Sequence, residues 1–187
     1  VASAVYVFND LLDCDEDARH PRKCLRPLPS GKARKRHAAI FAVLLLVVGM
    51  GVAATVPLLS PLLAGYVVLN GIYTRFLKRV PVIDITLVAS FYVFRIAAGG
   101  VAAAALLSPW IILATFFLAL FLVSGKRFGE FGREGRRVAL QGYSKQSLEG
   151  LLIASAVLAV ASYGLWTVLS HASSYTVSSV LPVFAVI

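Results

Sequence analysis

The run lengths of this chain constrain it most. Apolar stretches of about 18 residues or more recur, enough for a helix to cross a hydrocarbon core roughly 30 Å thick. A water-soluble helical protein shows an apolar stripe on each helix. Here the stretches are apolar all round, and 14% of residues are charged where soluble domains carry about 25%. The expected fold is all-α, a polytopic transmembrane helix bundle. One helix ends near Asn9. Others are expected over roughly 38–55, 61–77, 83–106, 109–124 and 147–169, and a last apolar run begins near Tyr175. Pro57, Pro61, Pro81 and the Ser108–Pro109 pair mark breaks. The chain opens at Val1 as if in the last turns of a helix and stops at Ile187 inside an apolar run. It reads as one transmembrane domain over 1–187, truncated at both ends.

Charge placement orients the helices. Of the 18 Lys and Arg, eight lie in 10–37, three in 75–79 and six in 125–146, leaving Arg95 inside an expected helix. The turns near 56–60, 107–108 and 170–174 carry none. Excess Lys and Arg in short loops marks the cytoplasmic side. The basic and uncharged segments alternate, as the helix count requires. All nine acidic residues lie in or beside the basic segments, so the net charge of +9 describes a one-sided surface. Such a surface suits anionic lipid. It argues against nucleic acid as a partner, because the basic residues sit at helix ends beside the bilayer. Cys14 and Cys24 fit no metal spacing and read as free thiols of a reducing compartment.

The first charged segment carries the chemistry. It reads Asn9-Asp10-Leu11-Leu12-Asp13-Cys14-Asp15-Glu16-Asp17. If the helix continues into it, Asp10, Asp13 and Asp17 fall at i, i+3 and i+7, on one face with Asn9 beside them. Carboxylates converging at a membrane boundary repel one another, and a divalent cation relieves that. Mg2+ takes oxygen ligands and commonly shares phosphate oxygens with one or two carboxylates, so a diphosphate is its natural companion. The competing reading is a solvated acidic patch paired with Arg19, Arg22 and Lys23.

The acidic run is followed by His20-Pro21-Arg22-Lys23 and Arg26-Pro27-Leu28-Pro29-Ser30-Gly31. Together they resemble the first signature of the UbiA superfamily of intramembrane transferases. Tyr73 with Lys78-Arg79 resembles the next family element. The resemblance spans essentially the whole chain. It implies a bundle of nine transmembrane helices, of which this chain carries about the middle two-thirds. Prenyl-transferring members carry a second Asp-rich motif in the next large cytoplasmic loop; here that loop reads Gly125-Lys126-Arg127-Phe128-Gly129-Glu130, with Arg133, Arg136 and Arg137 beyond. Lys and Arg there suit phosphate oxygens directly. Three features are instead similar to the decaprenyl-phosphate phosphoribosyltransferase branch. They are His20-Pro21-Arg22-Lys23, Asp84-Ile85 with Arg95-Ile96-Ala97-Ala98-Gly99-Gly100 downstream, and Gly125-Lys126-Arg127.

That branch implies transfer of 5-phosphoribose from phosphoribosyl diphosphate to a polyprenyl phosphate such as decaprenyl phosphate, with loss of diphosphate. It also implies a bacterial inner membrane and a cytoplasmic active face. Asp10, Asp13 and Asp17 are expected to hold Mg2+ against the diphosphate, with Asn9 as a hydrogen-bonding neighbour and Lys78 offsetting charge on the leaving group. Lys23, Arg26, Lys126 and Arg127 are expected on phosphate groups, Tyr73 on substrate phosphate and Asp84 on ribose hydroxyls. Each has a plainer alternative. Lys78 and Arg79 suit a snorkelling anchor, Asp84 the positive end of a helix, and Tyr73, His37 and His171 the interface. Arg95 suits an ion pair or a lipid phosphate, and Gly99-Gly100 close helix packing. Two rival functions stand beside this one: prenyl transfer from a prenyl diphosphate to an aromatic or lipid acceptor, and a non-enzymatic transporter or scaffold. Transporters put polar groups at mid-bilayer on broken helices, whereas here the polar chemistry lies at one face.

Overall fold

In the computed structural model of the chain, residues 1–19, 23–130 and 142–170 are described. His20-Pro21-Arg22, Arg133, Arg136, Arg137, His171 and the apolar run near Tyr175 lie outside them. Seven α-helices follow in order: α1 (Ala2–Leu12), α2 (Cys14–Asp17), α3 (Lys35–Ala53), α4 (Leu59–Arg75), α5 (Ile83–Ala102), α6 (Pro109–Glu130) and α7 (Lys145–Ser170). Short 3-10 turns cover Lys23–Leu25 and Leu77–Arg79. Helices α3, α5, α6 and α7 are long and apolar enough to cross a membrane. The chain divides into two compact units, Val1–Thr74 and Arg75 onward.

Local chemistry sets the helix ends, and corrects several of the expected ones. Helix α4 starts two residues earlier than expected because Pro61, having no N–H to lose to the ladder, is tolerated in a first turn. Helix α5 stops at Ala102 instead of running to about 106. Ala104 turns to φ +50°, and the Ala105 N–H returns to the Gly100 carbonyl at 2.9 Å, closing the helix in a Schellman-type cap. Helix α6 opens with Pro109 in its first turn and Ser108 Oγ accepting from the Trp110 N–H at 3.4 Å. It runs on to Glu130, past the expected end near 124, and Arg127 in this extension finds a buried carboxylate partner. Helix α7 begins at Lys145, where Ser144 Oγ accepts the Ser147 N–H at 2.9 Å as an N-cap.

The packing is that of helices in lipid. In the first unit α1 lies on α3, with Ala4, Val5 and Ala42 at the contact. In the second, α6 packs on both α5 and α7 around Ile85, Ala89, Ala119, Leu120, Val123 and Leu148. The tight positions mix small residues, Ala4, Ala42, Ala89 and Ala119, with Ile85, Leu120 and Leu148, while Ile40, Phe41, Leu44, Val47 and Val48 of α3 face outward. Lipid tails are as apolar as these side chains, so association rests on close packing. Gly100 makes room for the link after its own helix: a Cβ there would lie 2.8 Å from Leu107 Cγ. Gly99 has no such neighbour. Buried hydroxyls donate to backbone carbonyls of their own helices, as Ser124 does to Leu120 and Thr167 to Tyr163, and no buried side-chain polar atom among the described residues is left unpaired.

This packing predicts that Ala89→Leu, at a position with no exposed surface, lowers the melting midpoint in detergent through an overpacking cost of about 1–3 kcal/mol. Val47→Leu, 64% exposed on α3, should leave it unchanged. Equal melting of the two variants would contradict the α5–α6 contact.

Candidate functional site

In the first unit, α1 ends at Leu12, and Asp13, at φ −89° and ψ 0°, joins it to the short α2. The helical path barely breaks: the Asp13 N–H reaches the Asn9 carbonyl at 2.9 Å, and the Asp17 N–H reaches the Asp13 carbonyl at 2.7 Å. Asp10 and Asp17 therefore share a face, as the spacing predicted. Cations already hold them. Arg26 Nη1 donates to Asp10 Oδ1 at 3.0 Å and to Asp17 Oδ2 at 2.9 Å. Lys23 Nζ lies 3.1 Å from Asp17 Oδ1. Asp17 is buried, and two cationic partners offset the cost of burying a carboxylate. Asp13 is half-buried at the junction.

Two of the three expected carboxylates, Asp10 and Asp17, thus meet on one guanidinium. Among the described residues, no three Asp, Glu, His or Cys side chains gather as a metal cluster. The loop that follows delivers cations to the carboxylates. That loop is itself well fixed. The Ser30 N–H reaches the Arg26 carbonyl at 2.9 Å, the Gly31 N–H the Leu28 carbonyl at 3.1 Å, and the Ala33 N–H the Pro27 carbonyl at 2.9 Å. Gly31 sits at φ +75°, where a Cβ would be strained. The run Arg26-Pro27-Leu28-Pro29-Ser30-Gly31 is therefore a compact turn that aims Arg26 at the carboxylates. A cation poised on hard carboxylate oxygens is also what a magnesium site offers, so Asp10 and Asp17 fit that ion's chemistry.

Asn9 is half-buried, and its Oδ1 accepts from Thr74 Oγ1 at 2.8 Å, a partner the sequence did not suggest. Tyr73, next to Thr74 on α4, is buried. Beside Asn9 lies a cavity of about 220 Å3, walled by apolar side chains such as Val5, Phe8, Leu12 and Leu46, with Asn70 as its other polar residue. At the edge of this unit, exposed Lys35 and Asp15 pair at 2.8 Å, and Lys35 holds the Asp15 carboxyl below its usual range. An exposed pair of this kind adds little stability. Cys14 is buried and Cys24 half-buried, and neither is in a disulfide.

The second unit holds a separate polar cluster. Arg127 Nε donates to Asp84 Oδ2 at 3.0 Å, with both side chains essentially without exposure, and Arg127 Nη1 reaches Glu130 Oε2 at 3.4 Å. Tyr143 donates to Asp84 Oδ1 at 3.2 Å, and its oxygen accepts the Val82 N–H. Asp84 and Arg127, both expected on substrate, are here each other's partner. Their pairing lies 43 residues apart in sequence, and no local pattern reveals it. Val82 carries a strained backbone. Its φ of +67° and ψ of −49°, with the Ile83 N–H on the Pro81 carbonyl at 2.8 Å, form a γ-turn of the disfavoured hand on a β-branched residue. Strain of this order, about 1–3 kcal/mol, persists only where surroundings over-determine it. Of the expected phosphate ligands in this unit, Lys126 is exposed and Lys78 half-buried in its 3-10 turn. Arg95 is exposed on α5.

Over residues 1–187 the chain matches the UbiA prenyltransferase family. It is 36% identical over 173 residues to a decaprenyl-phosphate phosphoribosyltransferase of Corynebacterium glutamicum, covering 88% of this chain and 52% of that protein. It is 36% identical over 171 residues to the same-named protein of Mycobacterium tuberculosis, covering 88% and 57%. The chain thus spans about half the length of these relatives. A solved structure of a UbiA homolog from Archaeoglobus fulgidus, bound to GPP and Mg2+, superposes with a TM-score of 0.75 at 19% identity, over 98% of this chain and 66% of that one. That likeness establishes the fold.

Two outcomes follow from the second cluster. Asp84→Ala should lose about 3–5 kcal/mol by stranding the Arg127 charge, while the Asp84→Leu/Arg127→Met double variant recovers most of the melting midpoint. A double variant no more stable than the single would show that the pair is not the source. Burial first, then the Asp84 carboxylate, pushes the Tyr143 phenol up from 10.0 to about 12. The folded state therefore keeps this proton longer than the unfolded one. Its stabilising contribution is whole below about pH 10 and is lost as pH rises towards 12. In phenolate absorbance titrations, wild type and Tyr143→Phe should coincide through pH 10 and separate only near 12; separation at pH 10 contradicts the burial.

Proposed function

Since the chain belongs to the UbiA prenyltransferase family, we propose that it is the magnesium-dependent transferase that moves 5-phosphoribose from phosphoribosyl diphosphate to a polyprenyl phosphate, releasing diphosphate. The observation that carries this reading is the 36% identity over 88% of the chain to two decaprenyl-phosphate phosphoribosyltransferases. The site chemistry supports it. A donor with a diphosphate, a ribose and a 5-phosphate needs more cationic partners than a prenyl diphosphate, and Lys23 and Arg26 crowd the carboxylates here. The proposed setting is a bacterial inner membrane with the charged segments on the cytoplasmic face, in line with the basic loops.

Asp10, Asp13 and Asp17 would hold the magnesium ion. Bound there, the ion supplies charge neutralisation for a departing diphosphate. Asn9, fixed by Thr74, offers its amide as a donor beside the carboxylates. Lys23 and Arg26 take phosphate oxygens by charge-assisted hydrogen bonds. In the second unit, Lys78 and Lys126 carry charges suited to phosphate, while Asp84 and Arg127 stabilise the scaffold. The attacking oxygen of a lipid phosphate is already anionic, so no strong general base is required. Electron deficiency at the ribose anomeric carbon resembles the oxocarbenium character of glycosyl transfer. The apolar cavity beside Asn9 suits an isoprenoid segment.

Prenyl transfer is the second reading, favoured by the GPP and Mg2+ bound to the archaeal structure. One assay separates the two. The full-length protein in membranes, given Mg2+, decaprenyl phosphate and radiolabelled phosphoribosyl diphosphate, should put label into the lipid fraction. EDTA or Asp13→Asn should abolish it. No label, with turnover of a prenyl diphosphate and an aromatic acceptor, would move the protein to prenyl transfer.

A further inference from the structure

Arg26 occupies the position that the preceding reading gives to a metal. A single nitrogen, Nη1, serves Asp10 and Asp17 together, at 3.0 and 2.9 Å. The two carboxylates stand in different settings. The Asp17 side chain is 3% exposed and has Lys23 on its other oxygen, whereas the Asp10 side chain is 49% exposed and shares Arg26. The Arg26 backbone is tied into the turn by the Ser30 N–H, but its side chain is 47% exposed. Together with Asp10 it also walls a second cavity of about 320 Å3, which extends past Pro27 and Leu28 to His37 and Phe41. The guanidinium therefore has room to leave the carboxylates without moving the backbone.

Charge decides when it leaves. Asp10, Asp13 and Asp17 with Lys23 and Arg26 sum to only −1. A divalent cation entering alone must displace a bonded guanidinium and leave a surplus of positive charge. Entering with a diphosphate, it brings compensating negative charge and gives the displaced guanidinium an oxygen to bind.

We propose that Arg26 is a counterion latch. It holds Asp10 and Asp17 paired in the resting protein, and it surrenders them only to a divalent cation accompanied by diphosphate, turning its own charge onto the diphosphate. Metal binding is thereby conditional on the leaving group being present, and by reciprocity the diphosphate binds poorly without metal. This rests on the reading of Asp10 and Asp17 as metal ligands, and the test separates the two ideas.

The probe is Mn2+, whose unbound fraction is read by electron paramagnetic resonance, titrated into the full-length protein in nanodiscs with and without inorganic diphosphate. Wild type should bind Mn2+ alone weakly and roughly tenfold or more tightly with diphosphate, the scale expected for releasing a charged hydrogen bond. Arg26→Gln should bind Mn2+ alone roughly tenfold tighter than wild type and lose most of the diphosphate effect. Arg26→Lys, which keeps the charge, should restore it. Unchanged or weaker binding of Mn2+ alone in Arg26→Gln, with binding still lost in Asp10→Asn, would overturn the latch and leave the metal site standing. Binding indifferent to Asp10→Asn, or absent from every variant, would overturn both.

Discussion

Hydrocarbon does not hydrogen-bond, and that single constraint shapes the described part of this protein. Every polar group that enters the apolar region must bring its partner or find one. Ser124, Ser155, Ser162 and Thr167 meet the demand within their own helices, by donating to carbonyls three or four residues back. With polarity confined in this way, packing rests on apolar contacts, in which Ala89 and Ala119 let α5 and α6 approach beside Ile85, Leu120 and Leu148.

At the membrane boundary the same rule is relaxed, and there the two polar clusters diverge. Asp84, Arg127 and Tyr143 are closed on one another and knit α5 to α6 and to the start of α7. The Asp10, Asp17 and Arg26 group is paired but accessible, with two of its three side chains about half exposed. A closed cluster stabilises a scaffold. An accessible one can exchange partners, which suits a site that handles charged substrates.

Much of this was legible in the sequence. Apolar run lengths located α3 to α7, because the solvent acts on each helix separately and leaves its mark locally. The spacing of Asp10 and Asp17 placed them on one face, and the structure agrees. What escaped were the consequences of distant pairing. Arg127 looked like a loop cation because its partner lies 43 residues away, and α6 runs past the expected end to include it. Tyr143 gave no signal in a polar segment, although its hydroxyl touches both Val82 and Asp84. The Ser144 cap was readable in principle, as a serine just ahead of a helix.

The turn at Val82 has a consequence for how the chain is made. Its N–H finds the Tyr143 hydroxyl 61 residues later, and Asp84 waits 43 residues for Arg127. Synthesis runs from the N-terminus, so α5 is made before either partner exists. The contacts that close this turn and pair Asp84 can form only once α6 and the Tyr143 segment have been added, so the start of α5 is completed by residues translated after it.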